Sequence, residues 1–139
     1  MKLYPESMDI AELADILLKA NIAFLDHMSA IPNQCFRSLL INNIFIPKSI
    51  ESISDCSFMD CSELKWVKLQ FGKKLSLGNF VFSGCSSLET IFFDGTKEQW
   101  DKVSFSAYWN IGMPSEVSLL CNDGEYKLSK VYRTNKITI

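Results

Sequence analysis

The clearest pattern along the chain is the alternation of apolar and polar residues in three short segments. Ile44–Ile46, Val67–Leu69 and Ile91–Phe93 each begin and end on an apolar residue, which is the spacing of a strand with one buried face. A different spacing near the N-terminus, opened by a capping-box pattern at Asp9 and Glu12, is typical of an amphipathic helix. We predict that helix over about residues 9–20, and its apolar positions are Ile10, Leu13, Ala14, Leu17 and Leu18.

The strand segments belong to an internal repeat. The pattern Phe-x-x-Cys-x-x-Leu that begins at Phe58 recurs in full from Phe82, and a weaker copy begins at Phe36. Repeats of this kind stack so that equivalent residues form columns through one continuous core. The expected columns are Ile31–Ile53–Leu77, Phe36–Phe58–Phe82, Cys61–Cys85, Leu64–Leu88 and Ile44–Val67–Ile91.

These repeats resemble the BspA-like class of bacterial leucine-rich repeats, which have a pattern of the type IPxSVxxIGxxAFxxCxSLxxI. The pattern is followed by Ile46–Ile53 and Ser57–Leu64 and is matched best by Phe82–Ile91, while Phe71–Lys74 departs from it. The segments Asp94–Trp100 and Cys121–Gly124 are similar to the tail that often follows such arrays. The resemblance spans about residues 28–124. It implies an α/β solenoid with short parallel strands on one face, and a non-catalytic binding scaffold of the kind found on bacterial surfaces and in phage or eukaryotic relatives.

We therefore expect a single domain over residues 1–139, with an N-terminal helical cap at 1–27, leucine-rich repeats at 28–95 and a C-terminal helix/strand cap at 96–139. Thr96–Gln99 is a capping-box pattern that predicts a short helix carrying Trp100. Residues 104–116 are expected as a loop, Val117–Cys121 as a strand and Asn122–Gly124 as a turn. Trp100, Trp109 and Leu119 are expected to cover the last repeat, and further strands are expected at Glu125–Leu128, Lys130–Tyr132 and Lys136–Ile139.

Composition and charge exclude several classes of function. Fourteen lysines and arginines oppose sixteen aspartates and glutamates, and this near balance argues against nucleic-acid binding by bulk electrostatics. No apolar run approaches the ~20 residues of a membrane span. The acidic residues within 1–20 are unlike a secretory signal, so we expect a cytoplasmic protein without a membrane partner.

The cysteines and the single histidine offer little chemistry. An odd count of five cysteines favours reduced thiols, and Cys61 and Cys85 are expected to stack in the core; a disulfide between them requires a close approach of the repeats. Cys56 and Cys61 lack the paired spacing of a zinc site, so we expect no metal and no cofactor. A cysteine acting with His27 is the one enzyme hypothesis, and we rank it last.

The outward strand positions are more informative. If the apolar pairs point inward, Phe45, Lys68 and Phe92 form one exposed column and Trp66 lies in the adjoining one. Exposed aromatic clusters often mark binding surfaces. The alternative is that the N-terminal helix or the C-terminal tail folds over these residues.

The resulting hypothesis is a non-catalytic protein–protein interaction module that docks a protein partner on the repeat sheet face through Phe45, Trp66, Lys68 and Phe92. One specific form is a small inhibitor from a phage or mobile element that blocks a host protein. The alternative is a self-associating structural or virion-associated repeat domain, which uses the same face or the segment Lys136–Ile139.

Overall fold

The computed structural model describes residues 28–128, and the chain there winds into a solenoid with two sheets. One sheet has four two-residue strands in the order β1 (Ala30–Ile31), β3 (Ser52–Ile53), β5 (Ser76–Leu77), β7 (Ser104–Phe105). The other has five strands in the order β2 (Asn43–Ile46), β4 (Trp66–Gln70), β6 (Thr90–Asp94), β8 (Ser118–Cys121), β9 (Gly124–Lys127). Each turn of chain adds one strand to each sheet, and about four turns are present; β9 is an additional strand at the edge of the five-stranded sheet.

The register of both sheets is the one that the sequence repeat predicts. Val67 pairs with Ile44 on one side and with Ile91 on the other, and all three side chains are buried. In the other sheet Ile53 pairs with Ile31 and with Leu77. The spacing between successive copies of the repeat is therefore the length of one turn, and the predicted solenoid is confirmed. Its strands form two sheets, whereas the sequence predicted strands on one face only.

The core lies between the two sheets and contains the predicted columns. The rings of Phe36 and Phe58 stack with centroids 5.3 Å apart, and those of Phe58 and Phe82 stack at 5.7 Å. Cys61 and Cys85 are fully buried free thiols, and the Cys85 Sγ donates to the Phe58 carbonyl at 3.1 Å. The hydrogen bond with the Cys61 thiol, followed by burial, raises the pKa of Cys85, so this thiol stays protonated and packs as a small apolar group.

The turns that join the sheets repeat their backbone conformation as well as their side chains. Gln34, Cys56 and Phe80 occupy equivalent positions with φ of 58°, 60° and 57°. Backbone N–H groups of one turn donate to carbonyls of the next, as from Phe36 to Ser57 at 2.8 Å and from Phe58 to Val81 at 3.0 Å. These hydrogen bonds between successive turns satisfy backbone N–H and C=O groups of segments that lie in neither sheet. The turns can therefore stack closely.

The tail extends the solenoid by one more turn, which is longer than the turns before it. The structure pairs Ser104–Phe105 with β5 and Ser118–Cys121 with β6. The prediction of a loop over 104–116 is therefore wrong at its first two residues, whereas the strand predicted at Val117–Cys121 is confirmed. Helix α1 (Lys97–Trp100) occupies part of the longer connection and begins at the predicted capping box of Thr96.

Large aromatic side chains close the core at this fourth turn. Trp100 and Trp109 are 1% and 2% exposed, and their rings contact each other with centroids 6.1 Å apart. Trp100 also meets Phe93 edge-on at 5.2 Å, which joins α1 to the five-stranded sheet. After the turn at Asn122–Asp123, β9 pairs antiparallel with β8, so the chain reverses at that edge of the sheet.

Several predictions concern residues that lie outside the described range. They are the helix over 9–20, the N-terminal cap at 1–27, His27, and the strands at Lys130–Tyr132 and Lys136–Ile139. The division of one domain into caps and repeats also stays a prediction. Within residues 28–128, no helix has the length and apolar character that crossing a membrane requires.

Candidate functional site

The outer surface of the five-stranded sheet, which we call the aromatic face, contains all four residues that the sequence selects. Phe45 pairs in register with Lys68, Lys68 with Phe92, and Phe92 with Leu120, so these residues form one column across four strands. Trp66 lies in the adjoining column. The predicted arrangement of Phe45, Lys68 and Phe92 in one column beside Trp66 is therefore present.

These side chains point away from the core because the alternate positions of the same strands are buried in it. Strand β4 alternates strictly, with Trp66 and Lys68 exposed and Val67 and Leu69 buried. Trp66 is 47% exposed and Phe92 is 36% exposed, large values for side chains of this type. Phe45 is partly buried at its position in β2.

Lys68 contributes the charge at the centre of this surface. Its Nζ lies 5.9 Å from the centroid of the Phe45 ring, within the range of a cation–π interaction. No carboxylate within residues 28–128 forms an ion pair with Lys68. The exposed ammonium group therefore lies beside the Phe45 ring without a carboxylate partner among these residues.

Charge is distributed unevenly across the aromatic face. The β4 side carries Lys65 and Lys68, both exposed. The side formed by β6, β8 and β9 carries exposed acidic residues, namely Glu89 just before β6, Asp94 at its end and Glu125 on β9. Asp94 accepts a hydrogen bond from Asn122 at 3.2 Å, and Glu125 lies 4.0 Å from Lys127. One half of the face is thus basic and the other half is mainly acidic.

Sequence reasoning missed Leu120, which extends the column beyond Phe92. A signal exists in the sequence, because Ser118–Cys121 and Thr90–Phe93 each consist of one polar residue followed by three apolar residues. This strand follows Thr90–Phe93 at a wider spacing than the one that separates the earlier strands, and for this reason the repeat was not extended to it.

The four-stranded sheet has a very different outer surface. Its outward positions form a column of small residues, Ala30, Ser52, Ser76 and Ser104. They line a shallow groove of about 270 Å³ that also includes Glu51 and Lys74, whose charged atoms are 4.0 Å apart. This surface has no large side chain that would anchor a partner.

The thiols and the candidate metal ligands of the described residues were the other groups singled out by the sequence. Over 28–128, no three His, Cys, Asp or Glu side chains cluster as metal ligands would. Cys35 is the exposed thiol, and burial raises its pKa, which disfavours the nucleophilic thiolate. Burial, with a smaller contribution from the Asp123 carboxylate, raises the pKa of Cys121 to about 11.

The repeat geometry agrees with a comparison against known protein families. The model for the BspA type leucine rich repeat region (6 copies) matches residues 20–122. The chain belongs to this family. No significant match was found among curated proteins or among solved structures.

Membership of the BspA-type leucine-rich repeat family indicates a general role. Leucine-rich-repeat domains mediate protein–protein interactions, and their solenoid is typically a non-catalytic scaffold for binding. A general role in binding makes the outer surfaces of this repeat protein the relevant ones, and the aromatic face has two large exposed aromatic side chains, Trp66 and Phe92, on adjacent strands.

Proposed function

We propose that this protein is a non-catalytic interaction module that docks a protein partner on the aromatic face. Phe45, Trp66 and Phe92 anchor the partner, and Lys68 sets the polarity of the contact. One observation supports this proposal most. Trp66 and Phe92 lie on adjacent strands of one sheet, and they are two of the five exposed large apolar side chains within residues 28–128.

The chemistry of the residues is that of an interface centre. Aromatic side chains bury a large apolar area with few rotatable bonds, and a few such residues supply most of the binding free energy in protein interfaces. The strands hold them rigidly, because Val67, Leu69 and Ile91 on the opposite side are fully buried. A partner therefore meets side chains whose positions are already ordered, which lowers the entropic cost of association.

The finer hypothesis is that the partner is a host protein and that this chain acts as an inhibitor from a phage or mobile element. Occupation of the partner's working surface would be sufficient for such a role, and no catalytic group is needed. The identity of a retained protein would test this form of the proposal directly.

The test is affinity capture with wild type and with the triple variant Phe45→Ser/Trp66→Ser/Phe92→Ser. We expect wild type to retain one protein and the triple variant to lose it, because the variant removes the aromatic anchors but no buried core residue. Circular dichroism and a urea titration of each variant establish that the fold is preserved.

A matched control removes the exposed apolar residues that lie outside the sheet. The variant Leu40→Ser/Tyr108→Ser/Ile111→Ser changes side chains that are 64%, 55% and 46% exposed. It should retain the partner as wild type does. Loss of the partner in the control alone, or retention by the folded aromatic variant, would show that binding does not use the aromatic face.

A further inference from the structure

The aromatic face has opposite charges on its two halves, and this distribution points to one kind of partner. Lys65 and Lys68 lie on the β4 side, whereas Glu89, Asp94 and Glu125 lie on the β6–β9 side. Lys127 is also exposed on β9 and lies 4.0 Å from Glu125, so the β6–β9 side carries more acidic than basic groups. Lys65 and Glu89 form no ion pair with any residue from 28 to 128, and they occupy neighbouring turns, since the Glu89 N–H donates to the Lys65 carbonyl at 2.9 Å. A purely basic or purely acidic partner would complement only one half.

From this separation we infer that the aromatic face binds a second copy of the same chain, with the two faces related by a twofold axis. The inference rests on the proposed function, because it names the partner that the same face docks. In a twofold interface, the surface patch must be complementary to itself after rotation. A patch with a basic half and an acidic half meets this condition when the rotation exchanges the halves.

The sheet register defines which rotation does so. An axis that runs parallel to the strands between β4 and β6 places β4 of one copy over β6 of the second copy, and β2 over β8. Face-to-face sheets pack about 10 Å apart, which side chains of this size span. An axis perpendicular to the strands instead places β4 over β4, so that Lys65 and Lys68 face a second set of lysines.

The first rotation places complementary groups opposite each other at three register positions, and it places Trp66 opposite Thr90 of the second copy. Lys65 meets Glu89 of the second copy, and Lys68 meets Phe92 of the second copy, a cation over an aromatic ring as already occurs with Phe45 inside one chain. Phe45 meets Leu120 of the second copy, so that apolar side chains face each other. Every pair occurs twice, because the axis generates its symmetric equivalent.

The experiment is a charge exchange read out by sedimentation equilibrium across a concentration series. Wild type should dimerise, and its dissociation constant should increase with salt because exposed charges are screened. Lys65→Glu and Glu89→Lys should each raise the dissociation constant by roughly tenfold or more, since each creates two like-charge contacts in its own dimer. Mixed in equal amounts, the two variants should form a heterodimer with near wild-type affinity, because both contacts are then attractive.

Three further variants complete the design. The double variant Lys65→Glu/Glu89→Lys should regain self-association, and Lys74→Glu, which changes net charge equally beside the four-stranded sheet, should leave it unchanged. Phe45→Ser/Trp66→Ser/Phe92→Ser should be monomeric while folded. A mixture that associates no better than its components, or a folded aromatic variant that remains dimeric, would overturn the inference.

The outcome is separable from the proposed function. Wild type that stays monomeric at every concentration overturns the second-copy inference. If that monomer retains a different protein that the aromatic variant loses, the docking proposal stands and the occupant is a foreign protein.

Discussion

The two sheets are built by the same turns of chain around one core, yet their outer surfaces differ. The five-stranded sheet presents Phe45, Trp66 and Phe92, whereas the four-stranded sheet presents a serine at three of its four outward positions. Both sheets have inward residues of the same kind, such as Val67 in one and Ile53 in the other. The comparison shows that the core determines the register of both sheets, while the outward positions are free to carry function.

The strongest test of a shared core is the substitution Phe58→Ala. Phe58 is fully buried and stacks on Phe36 and Phe82 between the sheets. We expect the free energy of unfolding to fall by about 3–5 kcal/mol, measured by urea denaturation. Hydrogen exchange should increase in both sheets. Faster exchange in one sheet only would contradict a single core.

A smaller effect is expected at the connection that links the two sheets in the fourth turn. The Thr96 hydroxyl accepts from the Gln99 N–H at 3.2 Å, and the Gln99 side chain accepts from the Thr96 N–H at 2.9 Å. Thr96→Ala removes this cap, so the free energy of unfolding should fall by about 1 kcal/mol in thermal or urea unfolding.

Hydrogen exchange then locates the effect of Thr96→Ala along the chain. Amides of β7 and β8 should exchange faster, and those of β1 and β2 should be unchanged, since each turn contacts only its neighbours. Thr96→Ser, which keeps the hydroxyl, is the matched control. An equal response along the whole solenoid would be contrary to expectation.

The smallest stability effects are expected at the outward positions themselves. Phe92→Thr and Ser76→Thr each keep a residue suited to a strand, and each should change the free energy of unfolding by less than about 0.5 kcal/mol. The two variants should differ in how they bind a partner on the aromatic face, because only Phe92→Thr removes a side chain of that face. A large loss of stability in Phe92→Thr would assign this ring to the fold rather than to a partner.

Much of the fold could be predicted because identical side chains recur at nearly constant spacing. The columns through Phe58, Cys61 and Val67 followed directly from the alignment of one copy of the repeat on the next. Alternation then assigned Trp66 and Lys68 to the outer surface. These predictions rely on the period of the repeat, because residues one period apart in the sequence lie side by side in the solenoid.

The fourth turn could not be predicted in the same way. This turn is longer than the others, because helix α1 lies in the connection between β6 and β7. In addition, no Phe-x-x-Cys-x-x-Leu pattern follows Phe105. The burial of Trp100 and Trp109 was foreseen, but their ring contacts depend on how this turn folds back. The charge separation across the aromatic face was also hidden, because Lys65 and Glu89 become neighbours only once the strands pair.

Because the turns stack uniformly, the number of repeats determines the width of the aromatic face. Parallel strands lie about 4.8 Å apart, so each turn of chain widens the face by that amount. Gain or loss of one complete turn leaves the inward columns in register, since each turn contacts only the turns on either side. Duplication or deletion within the gene would thus resize the surface in discrete steps without redesign of the interior.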